Sequence, residues 1–144
     1  MVKIDFNTLK SNYNTSPTSI HKCSMHFPNT CAIRMSEAIV KAESKYLAIF
    51  KASSPNKCPH SYIRGAQDLA SILAKPSALG PRTLGWNGNS AGKAPTNVMG
   101  KKGIVCFMNI PGFSGQGHID LWDKTGAVGS DYWDAGTIWM WELK

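Results

Sequence analysis

The sequence predicts an α+β fold in which N-terminal helices pack on one face of a C-terminal antiparallel sheet. In the first half of the chain, apolar residues recur every three or four positions, which is the helical period. In the last third they form short runs or alternate, which is the strand pattern. The chain has 144 residues, the usual length of one domain. We therefore expect a single domain over residues 1–144.

The longest helical pattern covers residues 31–50, and shorter ones cover 5–10 and 64–75. In the longest pattern Asn29 or Thr30 can cap the N-terminus. Its apolar positions are Ala32, Met35, Ile39, Ala42, Tyr46 and Ile49. These positions fall on one side of a helix, so we expect this helix to pack against the sheet.

Strand patterns follow at residues 103–110, 117–122 and 137–143. Lys124-Thr125-Gly126 is typical of a hairpin turn, so antiparallel pairing is expected. Residues 76–102 contain five glycines and three prolines. A stretch of that length and composition predicts a long functional loop, and in it Trp86 could line a substrate groove.

The charge balance is basic, with 16 Lys and Arg against nine Asp and Glu, a net charge of +7. This favours anionic partners such as nucleic acid or an acidic polymer. The basic residues are scattered, whereas nucleic-acid-binding modules cluster them. No apolar run approaches the roughly 18 residues of a membrane span, and the N-terminus lacks the apolar region of a signal peptide. We expect synthesis in the cytosol and neither a nucleic acid nor a membrane as partner.

Cys31 is the first candidate catalytic residue, because it stands at the start of the helical pattern over residues 31–50. Unpaired backbone N–H groups and the positive end of the helix dipole meet there. Both favour the thiolate, which is the nucleophilic form, and the same N–H groups can hold an oxyanion. A small buried apolar side chain is the alternative interpretation of this position.

His118 is the second candidate, on a predicted strand next to Gly115 and Gly117. An imidazole that bonds a thiol is the usual base for cysteine nucleophiles, although a structural histidine is also compatible with this position. A third polar group should orient the ring. Asp120 shares the face of His118 but lies about 7 Å further along the strand. The other nearby aspartates are Asp123, Asp131 and Asp134.

The remaining cysteines and histidines allow two further interpretations. Cys23 and His26, together with Cys58 and His60, could supply four zinc ligands, but the spacing of the second pair is tighter than usual. We therefore expect no metal site. A Cys23–Cys58 disulfide, formed after export, is the alternative. Cys106 lies in an apolar strand pattern, where an inert core thiol is expected.

Two segments resemble one known family. NTCAIRMSEA at residues 29–38 and KGIVCFMNIPGFSGQGHIDLWD at residues 102–123 are similar to the type VI secretion amidase effectors, family four, which resemble the NlpC-type cysteine peptidases. The resemblance implies a papain-like fold with Cys31 as nucleophile and His118 as base. It implies Asp131 as the third residue, because an aspartate follows the family's histidine after a short hairpin.

The resemblance also implies an activity and a mode of action. It implies cleavage of the γ-D-glutamyl–meso-diaminopimelate bond of peptidoglycan stems, without a cofactor. Injection by the type VI secretion machinery into the periplasm of rival bacteria and a cognate immunity protein are implied as well. From the residues alone, a basic nucleic-acid-binding module or a non-catalytic cell-wall-binding domain remain the alternatives.

Overall fold

The computed structural model describes residues 2–13, 31–53, 56–87, 92–112 and 116–144. Within these ranges the helices are α1 Phe6–Asn12, α2 Cys31–Ala42, α3 Tyr46–Ala52 and α4 Ala66–Leu73. The strands are β1 Leu84–Asn87, β2 Lys102–Met108, β3 His118–Asp123, β4 Gly126–Ala127 and β5 Thr137–Glu142. The strands form one antiparallel sheet in the order β1-β5-β2-β3-β4. The predicted α+β layout is confirmed.

The sheet is buried on both faces, which explains the continuous apolar run of β2. Alternate side chains of β2 and β3 pack with the helices, and the intervening ones pack with loop residues on the opposite face. The helix-side cluster includes Ile104, Cys106, Ile119, Leu121 and Trp141. The opposite cluster includes Val105, Phe107, Trp122, Trp133, Ile138 and Met140. The α-helices therefore cover one face, as predicted, while loop residues and the short 3-10 helix Thr96–Val98 cover the other.

The expectation of one helix over residues 31–50 is wrong at its centre. Helix α2 ends at Ala42 and α3 begins at Tyr46, with a turn between them. The Tyr46 N–H donates to the Glu43 carbonyl, three residues earlier instead of four. After the break, Tyr46 and Phe50 of α3 are both fully buried in the helix-side core.

The expectation of a loop over residues 76–102 is also partly wrong. Strand β1 lies inside this stretch and pairs with β5 at the edge of the sheet. Its residues alternate between half-buried and exposed, so it lacks the apolar signal of an interior strand. The Trp86 indole donates to the Asn97 side chain and packs against Trp133. Trp86 is thus part of the aromatic packing on the sheet.

Gly103 provides a stability test of this packing. A Cβ atom there would overlap the carbonyl oxygen of Trp141 on the neighbouring strand β5. We expect Gly103→Ala to lower the free energy of unfolding by about 1–3 kcal/mol, because two central strands must separate. Gly126→Ala in β4 is the control, since a Cβ atom there meets nothing within 4 Å. Equal denaturant midpoints for both variants would contradict the close approach of β2 and β5.

Candidate active site

Cys31 meets His118 where the helical layer touches the start of β3. Cys31 is the first residue of α2 and is buried, and its Sγ lies 3.9 Å from the carbonyl oxygen of Gly117. Strand β4 pairs with β3 at Trp122 and Asp123, the far end of the strand. Among the described residues, no strand pairs with the beginning of β3 on that side, and Cys31 at the N-terminus of α2 lies next to Gly117 just before β3.

Gly117 allows this approach through its backbone. Its φ of +110° is a conformation that side chains disfavour. A Cβ atom there would also overlap the carbonyl oxygen of Phe107 on β2. Only glycine at this position lets the chain enter β3 with its carbonyl directed at Cys31.

The His118 ring connects Cys31 to a carboxylate. Its Nε2 atom lies 2.8 Å from Oδ2 of Asp120, and the ring also forms a hydrogen bond with Cys31. Because Nε2 is engaged by Asp120, Nδ1 is the nitrogen available to the thiol. Burial opposes a charge on the ring, but the hydrogen bonds to Asp120 and Cys31 outweigh it and raise the pKa of His118 to about 9. The ring can therefore hold a proton at neutral pH.

Asp120 is fully buried and its carboxylate is enclosed by backbone donors. Oδ1 accepts from the Leu121 N–H at 2.7 Å, and Oδ2 accepts from the Gly129 and Ser130 N–H groups at 3.1 and 2.8 Å. A Cβ atom on Gly129 would overlap this carboxylate. The turn after β4 thus closes around Asp120 and directs the remaining hydrogen-bonding capacity of Oδ2 to His118.

Asp131, the residue expected to orient the ring, has a different position. It is exposed, and its Oδ2 accepts from the Trp133 indole N–H at 3.0 Å. Asp134 is exposed as well. The structure therefore brings together Cys31, His118 and Asp120, whereas the Asp131 carboxylate bonds Trp133 instead of the ring. The backbone spacing of about 7 Å argued against a direct bond from His118 to Asp120, but two side chains on one strand face can lean towards each other.

Gln116 is a functional neighbour that the sequence reasoning missed. Its Oε1 accepts from the Asp68 N–H at 2.8 Å, and its Nε2 donates to the Asp68 carboxylate at 2.9 Å. Helix α4 begins after Gly65, which has no side chain to cap it. Gln116 supplies that cap and fixes the residues just before His118 to α4. The sequence signal for this contact was the glycine at the start of α4, which leaves the helix without a capping side chain of its own.

Of the cysteine and histidine pairs considered for zinc, Cys58 and His60 lie among the described residues. Cys58 is disulfide-bonded, whereas Cys31 and Cys106 carry thiols. Cys23 and His26 lie outside the described residues. Within the described ranges, no group of three or more His, Cys, Asp or Glu side chains is placed to hold a metal ion. None of the described helices is long and apolar enough to span a membrane.

Residues 27–141 match the model of the family described as Tae4, type VI secretion system amidase effector protein 4. The chain belongs to this family. The resemblance seen in the two sequence segments is therefore confirmed. No curated protein sequence matches the chain.

Solved Tae4 structures share the fold over nearly the whole chain. Tae4 from Salmonella typhimurium, crystallised with the immunity protein Tai4 from Enterobacter cloacae, has a TM-score of 0.74 and 21% identity. This alignment covers 99% of the present chain and 100% of that one. Tae4 in the Tae4–Tai4 complex from Enterobacter cloacae has a TM-score of 0.68 and 18% identity, with the same coverage.

We expect the same substitution, aspartate to asparagine, to have different effects on activity at Asp120 and at Asp131. We expect Asp120→Asn to lower kcat by about 10⁴-fold, because an amide can favour the wrong imidazole tautomer. We expect Asp131→Asn to keep activity within about twofold, because the amide oxygen still accepts from Trp133. Amidase kinetics measured on variants shown to be folded by circular dichroism would decide. Loss of activity in Asp131→Asn alone would restore Asp131 as the orienting residue.

Proposed function

We propose that this chain is a peptidoglycan amidase that cuts the γ-D-glutamyl–meso-diaminopimelate bond of peptide stems by a Cys31–His118–Asp120 mechanism. The observation that carries the proposal is the His118 ring, bonded to the buried Asp120 carboxylate and to Cys31 at the start of a helix. This arrangement suits attack on an amide carbonyl. The family's description as amidase effectors supports the same class of reaction.

The reaction proceeds in two stages. The proton of the Cys31 thiol passes to His118, whose raised pKa lets the ring hold it, and the sulfur attacks the γ-glutamyl carbonyl carbon. Backbone N–H groups in the first turn of α2 hold the oxyanion, since helical bonding leaves them unpaired. His118 then gives its proton to the departing diaminopimelate amine. Water, deprotonated by His118, hydrolyses the thioester and regenerates Cys31. The thiol, the imidazole and the backbone N–H groups supply the nucleophile, the acid–base group and the oxyanion donors. We therefore expect no cofactor.

The setting that we propose is antibacterial. The chain would be made in the cytoplasm, delivered by the type VI secretion machinery and active in the periplasm of target bacteria. The net charge of +7 suits a polymer whose stems carry carboxylates. Solved relatives from Salmonella typhimurium and Enterobacter cloacae are complexes with the immunity protein Tai4. We expect a cognate immunity protein to protect the producer of this chain too.

Mass spectrometry of purified muropeptides tests this function with two cysteine variants. The wild-type protein should release products cut between D-glutamate and diaminopimelate, and Cys31→Ala should lower the rate by at least about 10⁴-fold. Cys106→Ala is the matched control, because Cys106, among the described residues, also carries a thiol and lies in the core. Burial raises the pKa of its thiol, so it stays protonated. It should keep most of the activity.

Three results would contradict the proposal. One is an undiminished rate in folded Cys31→Ala. Another is cleavage at a different bond. The third is sacculus binding without any product from the wild-type protein, which would favour the non-catalytic cell-wall-binding alternative.

A further inference from the structure

The segment that encloses Asp120 also contacts the imidazole itself. Residues 128–133, here called the return segment, follow β4 and lead back across the sheet. Within it, the ring of Tyr132 packs on the ring of His118, with centroids 5.4 Å apart and planes inclined by 72°. We propose that Tyr132 is a positioning residue, which holds the His118 imidazole in the rotation that serves Asp120 and Cys31 together.

The imidazole needs such a contact because its hydrogen bonds do not fix it fully. Rotation about the bond between Cβ and the ring is broad for histidine. The bond from Nε2 to Asp120 limits this rotation at one atom only, and a sulfur partner is a weak hydrogen-bonding group. A perpendicular aromatic ring adds a steric wall and a favourable edge-to-face contact. Tyr132 therefore narrows the range of ring rotations that keep Nδ1 directed at Cys31.

Tyr132 is itself held in place from two sides. Its ring packs edge-to-face on Phe107, with centroids 6.1 Å apart, and Phe107 pairs with His118 across β2 and β3. The next residue, Trp133, is buried against Phe107. The orientation of its indole is fixed further because the indole N–H donates to Asp131. The buried Trp133 thus anchors the return segment, whereas the exposed Asp131 does not reach the imidazole.

The two contacts of the return segment support one function. The Gly129 and Ser130 N–H groups hold the carboxylate, and two residues later Tyr132 holds the ring that the carboxylate bonds. A simple covering role for Tyr132 would need only an apolar side chain of similar size. A positioning role needs a flat ring, so phenylalanine should replace tyrosine and leucine should not.

The test compares Tyr132→Phe, Tyr132→Leu and Trp86→Leu. Trp86 packs against Trp133 in the same aromatic cluster but lies on β1, whereas His118 lies on β3. It therefore controls for a general loss of packing. One readout is muropeptide turnover, which rests on the proposed function. The other is the rate at which iodoacetamide alkylates Cys31 at neutral pH, which needs no substrate and reports how far His118 activates the Cys31 sulfur.

We expect Tyr132→Leu to lower kcat and the Cys31 alkylation rate each by about tenfold, with KM changed by less than about twofold. Tyr132→Phe and Trp86→Leu should stay close to wild type in both readouts. Wild-type alkylation in Tyr132→Leu, or equal losses in all three variants, would overturn the positioning role. If the wild-type protein cleaved no muropeptide, the proposed function would fail, and the alkylation rates alone would decide the role of Tyr132.

Discussion

The Asp120 carboxylate has no exposed surface, and a buried charge is costly unless it is hydrogen-bonded and paired. Backbone N–H groups of Leu121, Gly129 and Ser130 donate hydrogen bonds to this carboxylate, and the side chains of His118 and Tyr13 bond it as well. The backbone donors tie β3 to the turn after β4. The ring is held where its second nitrogen is available to Cys31. The same set of contacts therefore stabilises the buried carboxylate and holds His118 next to Cys31.

The nucleophile and its base come from different layers of the fold, so their meeting depends on the contact between the layers. Cys31 belongs to the helical layer, and His118 and Asp120 belong to the sheet. Gly117 lets the backbone before His118 approach the start of α2, and Gln116 fixes the same stretch to α4. Changes that shift the helices relative to the sheet should thus reduce activity before they unfold the protein.

Periodicity predicted the two helices that pack on the sheet and its long strands, because both depend on apolar side chains that face a core. It could not show the break after Ala42, since the apolar spacing stays in phase through the turn. It missed β1, whose alternation at a sheet edge carries little apolar signal. Cys31 and His118 were singled out from local features and from the family resemblance, and the structure places them in contact. Gln116 and Tyr132 depend on contacts between separate segments, such as the 48 residues that separate Gln116 from Asp68, and sequence spacing does not reveal these. Asp120 lies only two residues from His118, but its bond to the ring depends on how the two side chains lean.

The most direct test of this account is a nitrogen-15 NMR titration of the His118 ring in the wild-type protein and in Asp120→Asn. The signal can be assigned by its absence in His118→Ala. We expect the wild-type ring to titrate with a pKa of about 9, above the ordinary pKa of about 6.5. In Asp120→Asn the pKa should fall, because the hydrogen bond to the carboxylate that raises it is lost. A wild-type titration near the ordinary value, or one that Asp120→Asn leaves unchanged, would contradict the central role of Asp120.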